Sequence, residues 1–113
     1  MGKFKVIFHL DDEERTVHAF SNMNNLIADL GEDELNIELL TNGSGIKSLL
    51  KDQGYGKEID FLRRRGVIFG VCSNSMRGLN ITEDKMVEGI KIVHSGVGEL
   101  VKKQDLGWNY IKV

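Results

Sequence analysis

Cys72 is the only cysteine among the 113 residues, and it ends the apolar run Val67–Cys72. The polar residues that follow, Ser73–Gly78, are typical of a turn that enters a helix. If the run is a buried parallel strand, the thiol lies at the sheet edge where open α/β folds bind their ligands. Backbone N–H groups at a helix start also favour the thiolate, which is the nucleophilic form of cysteine. Cys72 is therefore the leading candidate for a functional residue.

A single cysteine restricts the chemistry that the chain can perform. It cannot form an intrachain disulfide or run a dithiol cycle within one chain. It can attack an electrophile, carry a persulfide or form a mixed disulfide with a partner. The alternative is that Cys72 only packs, because free cysteine is among the most buried residue types. Both interpretations stay open at the level of the residues alone.

Candidate helper residues stand at the ends of other apolar runs. His9, Asn42 and His94 each follow such a run. Because the carboxyl ends of parallel strands share one edge of a sheet, His9 or His94 can approach Cys72. The alternative for each histidine is that it only caps or borders a helix.

The turn after Cys72 contributes three further candidates. Asn74 and Ser75 can satisfy free backbone amides at the helix start. Arg77 lies one turn further on, where it can steer an anionic sulfur species or simply face solvent. We assign all three to binding rather than to catalysis.

Other motifs predict neither a cofactor nor a metal. The segments 42–48 and 96–98 are rich in glycine but lack the spacing of GxxxxGK[ST] and of GxGxxG, so both indicate plain strand-to-helix turns. The alternative is that either one offers backbone amides to an anion at a helix start. One cysteine and three histidines without ligand spacing do not predict zinc. No GxSxG nucleophile elbow is present.

Composition excludes several classes of partner. A net charge of −2 gives no general attraction to nucleic acid or to anionic membranes. The basic cluster Arg63–Arg65 fits the carbonyl end of a helix before Gly66 better than a phosphate patch. No segment approaches the ~20 apolar residues that span a bilayer, and no signal peptide is evident. We expect a cytoplasmic protein, where a lone thiol stays reduced.

Apolar runs alternate with helical patterns from one end of the chain to the other. Five strands are predicted: Phe4–Leu10, Leu35–Thr41, Val67–Cys72, Ile90–Val93 and Trp108–Val113. Strands that alternate with helices pair in parallel through right-handed crossovers. The sequence therefore predicts an α/β fold, a three-layer α/β/α sandwich with a central, mostly parallel five-stranded sheet, formed by one domain over residues 1–113.

The helices between these strands are predicted from their apolar spacing. The first helix ends at Gly31, and its predicted buried face consists of Val17, Phe20, Met23, Ile27 and Leu30. Two short helices are marked by Ile46, Leu49 and Leu50 and by Ile59 and Leu62. The last helix, from Ser95 to Gln104, is predicted to turn Val97, Leu100 and Val101 inward.

Two segments of the chain resemble a known family. The run Cys72-Ser73-Asn74-Ser75-Met76, followed by Ile81 and an acidic helix start, resembles the cysteine segment of the DsrE/DsrF-like family of small sulfur-relay proteins. The closing helix and strand of that family are similar to a C-terminal pattern here: Gly96-Val97, Glu99-Leu100, Gln104, Gly107-Trp108 and Tyr110-Ile111-Lys112. The variant resembles a short archaeal and bacterial branch of the family.

The resemblance implies a fold, an assembly and a chemistry. It implies a three-layer α/β/α fold with a parallel sheet, in chains that assemble as homotrimers or hexamers. It also implies a persulfide on the cysteine that matches Cys72, received from a donor protein and passed to an acceptor protein. The resemblance assigns no helper, so the roles of His9, Asn42 and Arg77 follow from their positions alone.

Three functional hypotheses follow. The first is a sulfurtransferase-like carrier that holds sulfur on Cys72. The second is a non-enzymatic module that binds a nucleotide or another small anionic molecule in the strand-end crevice. The third is an oligomeric scaffold with no chemistry, in which an exposed Trp108, Tyr110 or Met76 serves subunit contacts.

Overall fold

Five strands, all parallel, form the centre of the fold. The computed structural model describes residues 3–113. The strands are β1 (Phe4–Leu10), β2 (Leu35–Thr41), β3 (Ile68–Cys72), β4 (Lys91–Val93) and β5 (Asn109–Lys112). Their order in the sheet is β4-β3-β2-β1-β5, and every neighbouring pair is parallel. The longest strands, β1 and β2, lie at the centre and have the predicted bounds.

Helices cover both faces of the sheet, which confirms the predicted three-layer α/β/α sandwich. The α-helices are α1 (Thr16–Leu30), α2 (Gly56–Arg64), α3 (Ser73–Gly78) and α4 (Gly96–Asp105). Short 3₁₀ helices are Glu13–Arg15, Glu32–Glu34, Gly43–Leu49, Lys51–Gln53 and Glu83–Lys85. The predicted short helix after β2 is therefore a 3₁₀ helix, with tighter turns than an α-helix.

The main apolar core lies on one face of the sheet. Alternate residues of β1, β2 and β3 point to this face, as the period of two in a strand requires. The helical layer contributes Ala19, Phe20, Met23, Ile46, Leu49, Ile59, Leu62, Met76 and Met86. This layer consists of α1, α2, α3 and the 3₁₀ segments between them.

The opposite face carries a smaller core beneath α4. Its buried members are Ile7, Leu40, Val93 and Leu100, with Trp108 packed at the margin. We call this the α4 face. The side chains of β1 to β3 that do not point into the main core point towards this face. Some of them are polar.

Three valines that the sequence analysis placed inward are exposed. Val17 is 63% exposed, and Val97 and Val101 are each 65% exposed. In α4 the inward positions belong to Leu100 and to Glu99, which is only 8% exposed. The prediction was wrong because it chose the apolar residues of the helix, whereas this helix turns a carboxylate towards the sheet.

Glu38 is the charged residue that α4 covers. It lies in the middle of β2 and is fully buried. Gly70 on β3 gives it room, since a Cβ atom at that position would lie 3.1 Å from Glu38 Oε2. The Nζ atoms of Lys103 and Lys91 lie 3.4 Å and 3.7 Å from Glu38 Oε1. The α4 face is thus held by charged as well as apolar contacts.

In residues 3–113, α1 to α4 are all too short or too polar to traverse a lipid bilayer.

The 3₁₀ helix Gly43–Leu49 packs very closely on the end of β1. A Cβ atom on Gly45 would lie 2.1 Å from the backbone oxygen of Leu10. Backbone atoms cannot yield as a flexible side chain does, so only glycine fits here. This contact fixes the turn that follows β2.

We expect Gly45→Ala to lower the free energy of unfolding by about 3 kcal/mol or more, because an overpacked backbone must shift. Gly56→Ala is the matched control, since a Cβ atom there meets nothing within 4 Å. Urea unfolding of both variants measures the difference. Equal midpoints for Gly45→Ala and the wild type would contradict the close contact.

Candidate functional site

Cys72 connects the end of β3 to the start of α3. Its sulfur accepts a hydrogen bond from the backbone N–H of Ser75, with an N···Sγ distance of 3.4 Å. The hydroxyl of Ser75 and the backbone N–H groups of Gly96 and Asn74 also lie near enough to lower the pKa of its thiol. Gly96 is the first residue of α4, so the starts of two helices converge on one sulfur atom. The residue is only 5% exposed.

These contacts act on the ionisation of the thiol. Burial by itself would raise the pKa of Cys72, because it removes water from the thiolate. The hydrogen bonds from Ser75, Gly96 and Asn74 favour the thiolate and outweigh burial, so that the pKa of the Cys72 thiol lies below its ordinary value. The site thus favours the nucleophilic form of the residue.

Ser75 orders its hydroxyl group through a second contact. The backbone N–H of Gly43, which follows β2, donates to Ser75 Oγ at 2.8 Å. The serine oxygen therefore accepts from Gly43, and its own proton is available to the sulfur of Cys72. The sequence analysis predicted a helix-start amide as the partner of Ser75, and the contact with Gly43 lies outside that prediction.

Arg77 and the side chain of Asn74 form a separate contact on the outside of α3. Arg77 Nη1 donates to Ser73 Oγ at 3.1 Å, and Nη2 donates to Asn74 Oδ1. Among the described residues these are the side-chain partners of the Arg77 guanidinium. The structure therefore brings the backbone of Asn74 to the sulfur and places the charge of Arg77 on the helix surface.

His9 and Asn42 meet in a hydrogen-bonded chain that includes Tyr110. His9 Nε2 lies 2.8 Å from Asn42 Oδ1, and His9 Nδ1 lies 2.7 Å from the hydroxyl oxygen of Tyr110. Because an amide oxygen only accepts, Nε2 carries a proton, and in the neutral ring Nδ1 accepts from Tyr110. The sequence analysis named Tyr110 only for subunit contacts under the scaffold hypothesis, since the pairing of β5 with β1 is not visible in the sequence.

This chain ends beside the cysteine site. A Cβ atom on Gly96 would lie 3.1 Å from Asn42 Cβ and 3.3 Å from Asn42 Nδ2. The backbone N–H of Gly96 also lowers the pKa of the Cys72 thiol, so Gly96 neighbours both Asn42 and Cys72. The sequence analysis favoured a plain turn for the Gly96–Gly98 pattern and left open that its amides serve an anion.

His94, the remaining candidate helper, is exposed after β4. It lines a small cavity of about 110 Å³ with Ser95 and Glu99. Ser95 caps α4, with Ser95 Oγ accepting from the N–H of Gly98 at 2.8 Å. His94 therefore borders the helix start, the alternative that the sequence analysis had left open.

Within residues 3–113, no three His, Cys, Asp or Glu side chains are grouped so that they could hold a metal ion. The chemistry that the site itself supports is that of a sheltered thiol with a lowered pKa.

The fold and this site define a class of small, all-parallel α/β proteins with a cysteine at a strand end. The chain belongs to the DsrE/DsrF-like family, whose model matches residues 4–113. A search of curated proteins found no match.

Solved structures show the same architecture. A protein of unknown function from Methanobacterium thermoautotrophicum is 37% identical, with a TM-score of 0.91 over 98% of this chain and 100% of its own. The ychN protein of E. coli is 16% identical, with a TM-score of 0.80 over 97% and 99% of the two chains. A conserved protein of unknown function from Bacteroides thetaiotaomicron is 13% identical, with a TM-score of 0.67 over 96% and 94%. The last two show the fold alone.

We expect Ser75→Ala to raise the pKa of Cys72 and to slow its alkylation by iodoacetamide at pH 7. The loss of one hydrogen bond, about 0.5–1.5 kcal/mol, corresponds to about a two- to tenfold slower reaction. Ser73→Ala is the matched control, because Ser73 Oγ accepts from Arg77. Equal rates for the two variants would show that the Ser75 hydroxyl does not stabilise the thiolate.

Proposed function

We propose that this protein is a sulfur-relay carrier that holds sulfane sulfur as a persulfide on Cys72 and passes it to a partner protein. The observation that carries the proposal is one sheltered sulfur that accepts a hydrogen bond from the Ser75 N–H and whose pKa is lowered by groups at two helix starts. Membership of the DsrE/DsrF-like family supports a function of the sulfur-relay type. The persulfide step and the role of Cys72 in it are our inference.

The proposed reaction needs no external oxidant. The Cys72 thiolate attacks the outer sulfur of a donor persulfide, a new S–S bond forms, and the donor leaves as a thiolate. A thiolate of the acceptor then attacks the outer sulfur of the Cys72 persulfide, and Cys72 leaves as a thiolate. The donor set acts in both steps, because it stabilises Cys72 as nucleophile and as leaving group.

Burial of the sulfur bears on partner choice. Because Cys72 is only 5% exposed, a large thiol reaches its sulfur only after the partner has docked. The same burial limits the reaction of the sulfur with oxidants in solution. Specificity would then come from protein donors and acceptors that fit the crevice around Asn42 and Ser75. A reducing compartment such as the cytoplasm, which we propose as the location, would keep the empty carrier as a thiol.

Incubation with a persulfide donor tests the chemistry. Intact-mass spectrometry should show an increase of about 32 Da, one sulfur atom, in the wild type and none in Cys72→Ser. Subsequent addition of a thiol acceptor should remove the added mass. A wild type without the added mass would refute the carrier. If nucleotides also stabilised both proteins thermally, the binding-module hypothesis would replace it.

We also propose that the protein assembles as a homo-oligomer, a trimer or hexamer. Three apolar side chains at α4 support this: Val97 and Val101 are each 65% exposed, and Leu106 is 67% exposed. Val97 and Val101 lie one helical turn apart on the outer side of α4. A second copy is a natural cover for such an apolar surface, since covering it removes apolar area from water.

The double change Val97→Lys and Val101→Lys should therefore dissociate the assembly into monomers, because a charge on each valine opposes burial. The control is Val17→Lys, whose valine is equally exposed but lies on α1 in the other helical layer. Size-exclusion chromatography with light scattering measures the mass of each. A monomeric wild type, or an unchanged mass in the double variant, would contradict the proposed interface.

A further inference from the structure

Two carboxyl groups meet between the sheet and α4, next to the cysteine site. Glu38 on β2 is fully buried, and Glu99 on α4 is 8% exposed. Lys91 Nζ lies 3.7 Å from Glu38 Oε1 and pairs with Glu99 as well, so one ammonium group joins the two side chains, and burial and Glu99 both raise the pKa of Glu38. Glu99 Oε2 accepts from Lys91 Nζ at 2.9 Å. The approach of two carboxyl groups is unfavourable when both are ionised and favourable when one of them carries a proton.

The carboxyl oxygens of Glu38 are buried without hydrogen-bond donors among the described residues. Lys103 Nζ and Lys91 Nζ, at 3.4 Å and 3.7 Å from Oε1, supply charge but no well-formed hydrogen bond. A proton on Glu38 resolves this, because the neutral acid can donate to the carboxylate of Glu99.

The surroundings of Glu38 contain few other charges. The neighbouring residue on β1 is Ile7, and Gly70 on β3 leaves the space that Glu38 Oε2 approaches. The charged groups that face it are Lys91 from β4 and Glu99 and Lys103 from α4, where Lys103 also lies 4.3 Å from the Trp108 ring centroid. Within the described residues, the proton of Glu38 is therefore governed by one carboxylate and two lysines.

The carboxyl pair is connected to the sulfur site through two elements. On β3, Gly70 precedes Cys72 by two residues, so both positions face α4. On α4, Glu99 follows Gly96 by three residues, one helical turn from the backbone N–H that lowers the pKa of the thiol. The carboxyl pair thus lies between β2 and the first turn of α4.

We propose that Glu38 is a positioning residue for the sulfur site: as a neutral acid it donates to Glu99 and keeps the Gly96 N–H on the Cys72 sulfur. This proposal depends on the proposed function in one respect, namely that Cys72 carries sulfur. It extends the site to a buried residue that makes no contact with substrate.

A dependence on pH follows from this arrangement. Burial, followed by the hydrogen bond to Glu99 and its charge, raises the pKa of Glu38 to about 7. Above that pH Glu38 ionises, the two carboxylates repel each other, and the start of α4 moves away from the sulfur. Because the folded protein holds this proton to a higher pH than the unfolded chain does, the stability that Glu38 contributes is fully present below its ordinary pKa of 4.5 and is lost as pH rises through about 7.

Glu38→Gln tests the proposal, since the amide donates to Glu99 at every pH. The Gly96 amide shift is followed by NMR from about pH 5.5 to 8.5 in a Cys72→Ser background, so that thiol titration does not contribute. We expect a step near pH 7 in the protein that keeps Glu38, and none in Glu38→Gln, because the amide cannot ionise. A step that persists in Glu38→Gln would overturn the proposal, because it would belong to a group other than Glu38.

Cys72 alkylation by iodoacetamide gives a second readout in the proteins that retain Cys72. At pH 8, Glu38→Gln should react about twofold or more faster than the wild type, because its sulfur keeps the Gly96 donor. Glu58→Gln, an exposed change on α2, is the control and should match the wild type. Superimposable pH profiles for Glu38→Gln and the wild type would refute the positioning role.

A second variant protects the test against a failure to fold. In Glu99→Gln the amide donates to an ionised Glu38, so the Gly96 step should move to lower pH. A step that does not move would contradict the pairing of the two residues.

Uptake of sulfur by Cys72 is measured separately by mass. A Gly96 step that follows Glu38 without any persulfide would retain the positioning role and reject the carrier, whereas persulfide formation without that step would do the reverse.

Discussion

The hydrogen bonds to the sulfur of Cys72 are the interaction on which the site depends. They require that two helices begin at the same edge of the sheet, which happens because all the strands are parallel and every following segment leaves at their carboxyl ends. The pairing of Cys72 with Val93 brings the start of α4 to the sulfur. The turn after β2 orders Ser75 through Gly43. A sulfur that is sheltered yet favours its anionic form is the product of this convergence.

Close approach at glycine makes the convergence feasible. Gly45 lets the turn after β2 lie on the end of β1, and Gly96 lets α4 lie against Asn42. Gly70 leaves space for the carboxyl group of Glu38. Each position would place a Cβ atom within 3.1 Å of a neighbouring atom, so the missing side chain is the structural requirement. These contacts surround the cysteine site on the α4 face and at the strand ends.

The two faces of the sheet differ in composition and in role. The face beneath α1 and α2 is a continuous apolar core that stabilises the protein. The α4 face has a small apolar cluster, a buried carboxyl pair and the cysteine. Burial of a polar group costs free energy unless the group is paired. Under our proposal, the position of α4 therefore depends on whether Glu38 is protonated. The outer side of the same helix carries the exposed valines, which places the proposed chemistry and the proposed assembly on one element.

The sequence by itself determined the strands, the parallel α/β class and the place of Cys72 at a strand end, because these follow from local apolar runs and turn residues. It also identified His9, Asn42 and Ser75 as candidates from their positions at strand ends or in the turn after Cys72. Only the tertiary structure decided the order of the strands and the inward side of α4. The hydrogen bonds of His9 join residues 33 and 101 positions apart, and such distant pairings are set by packing and register, not by local pattern.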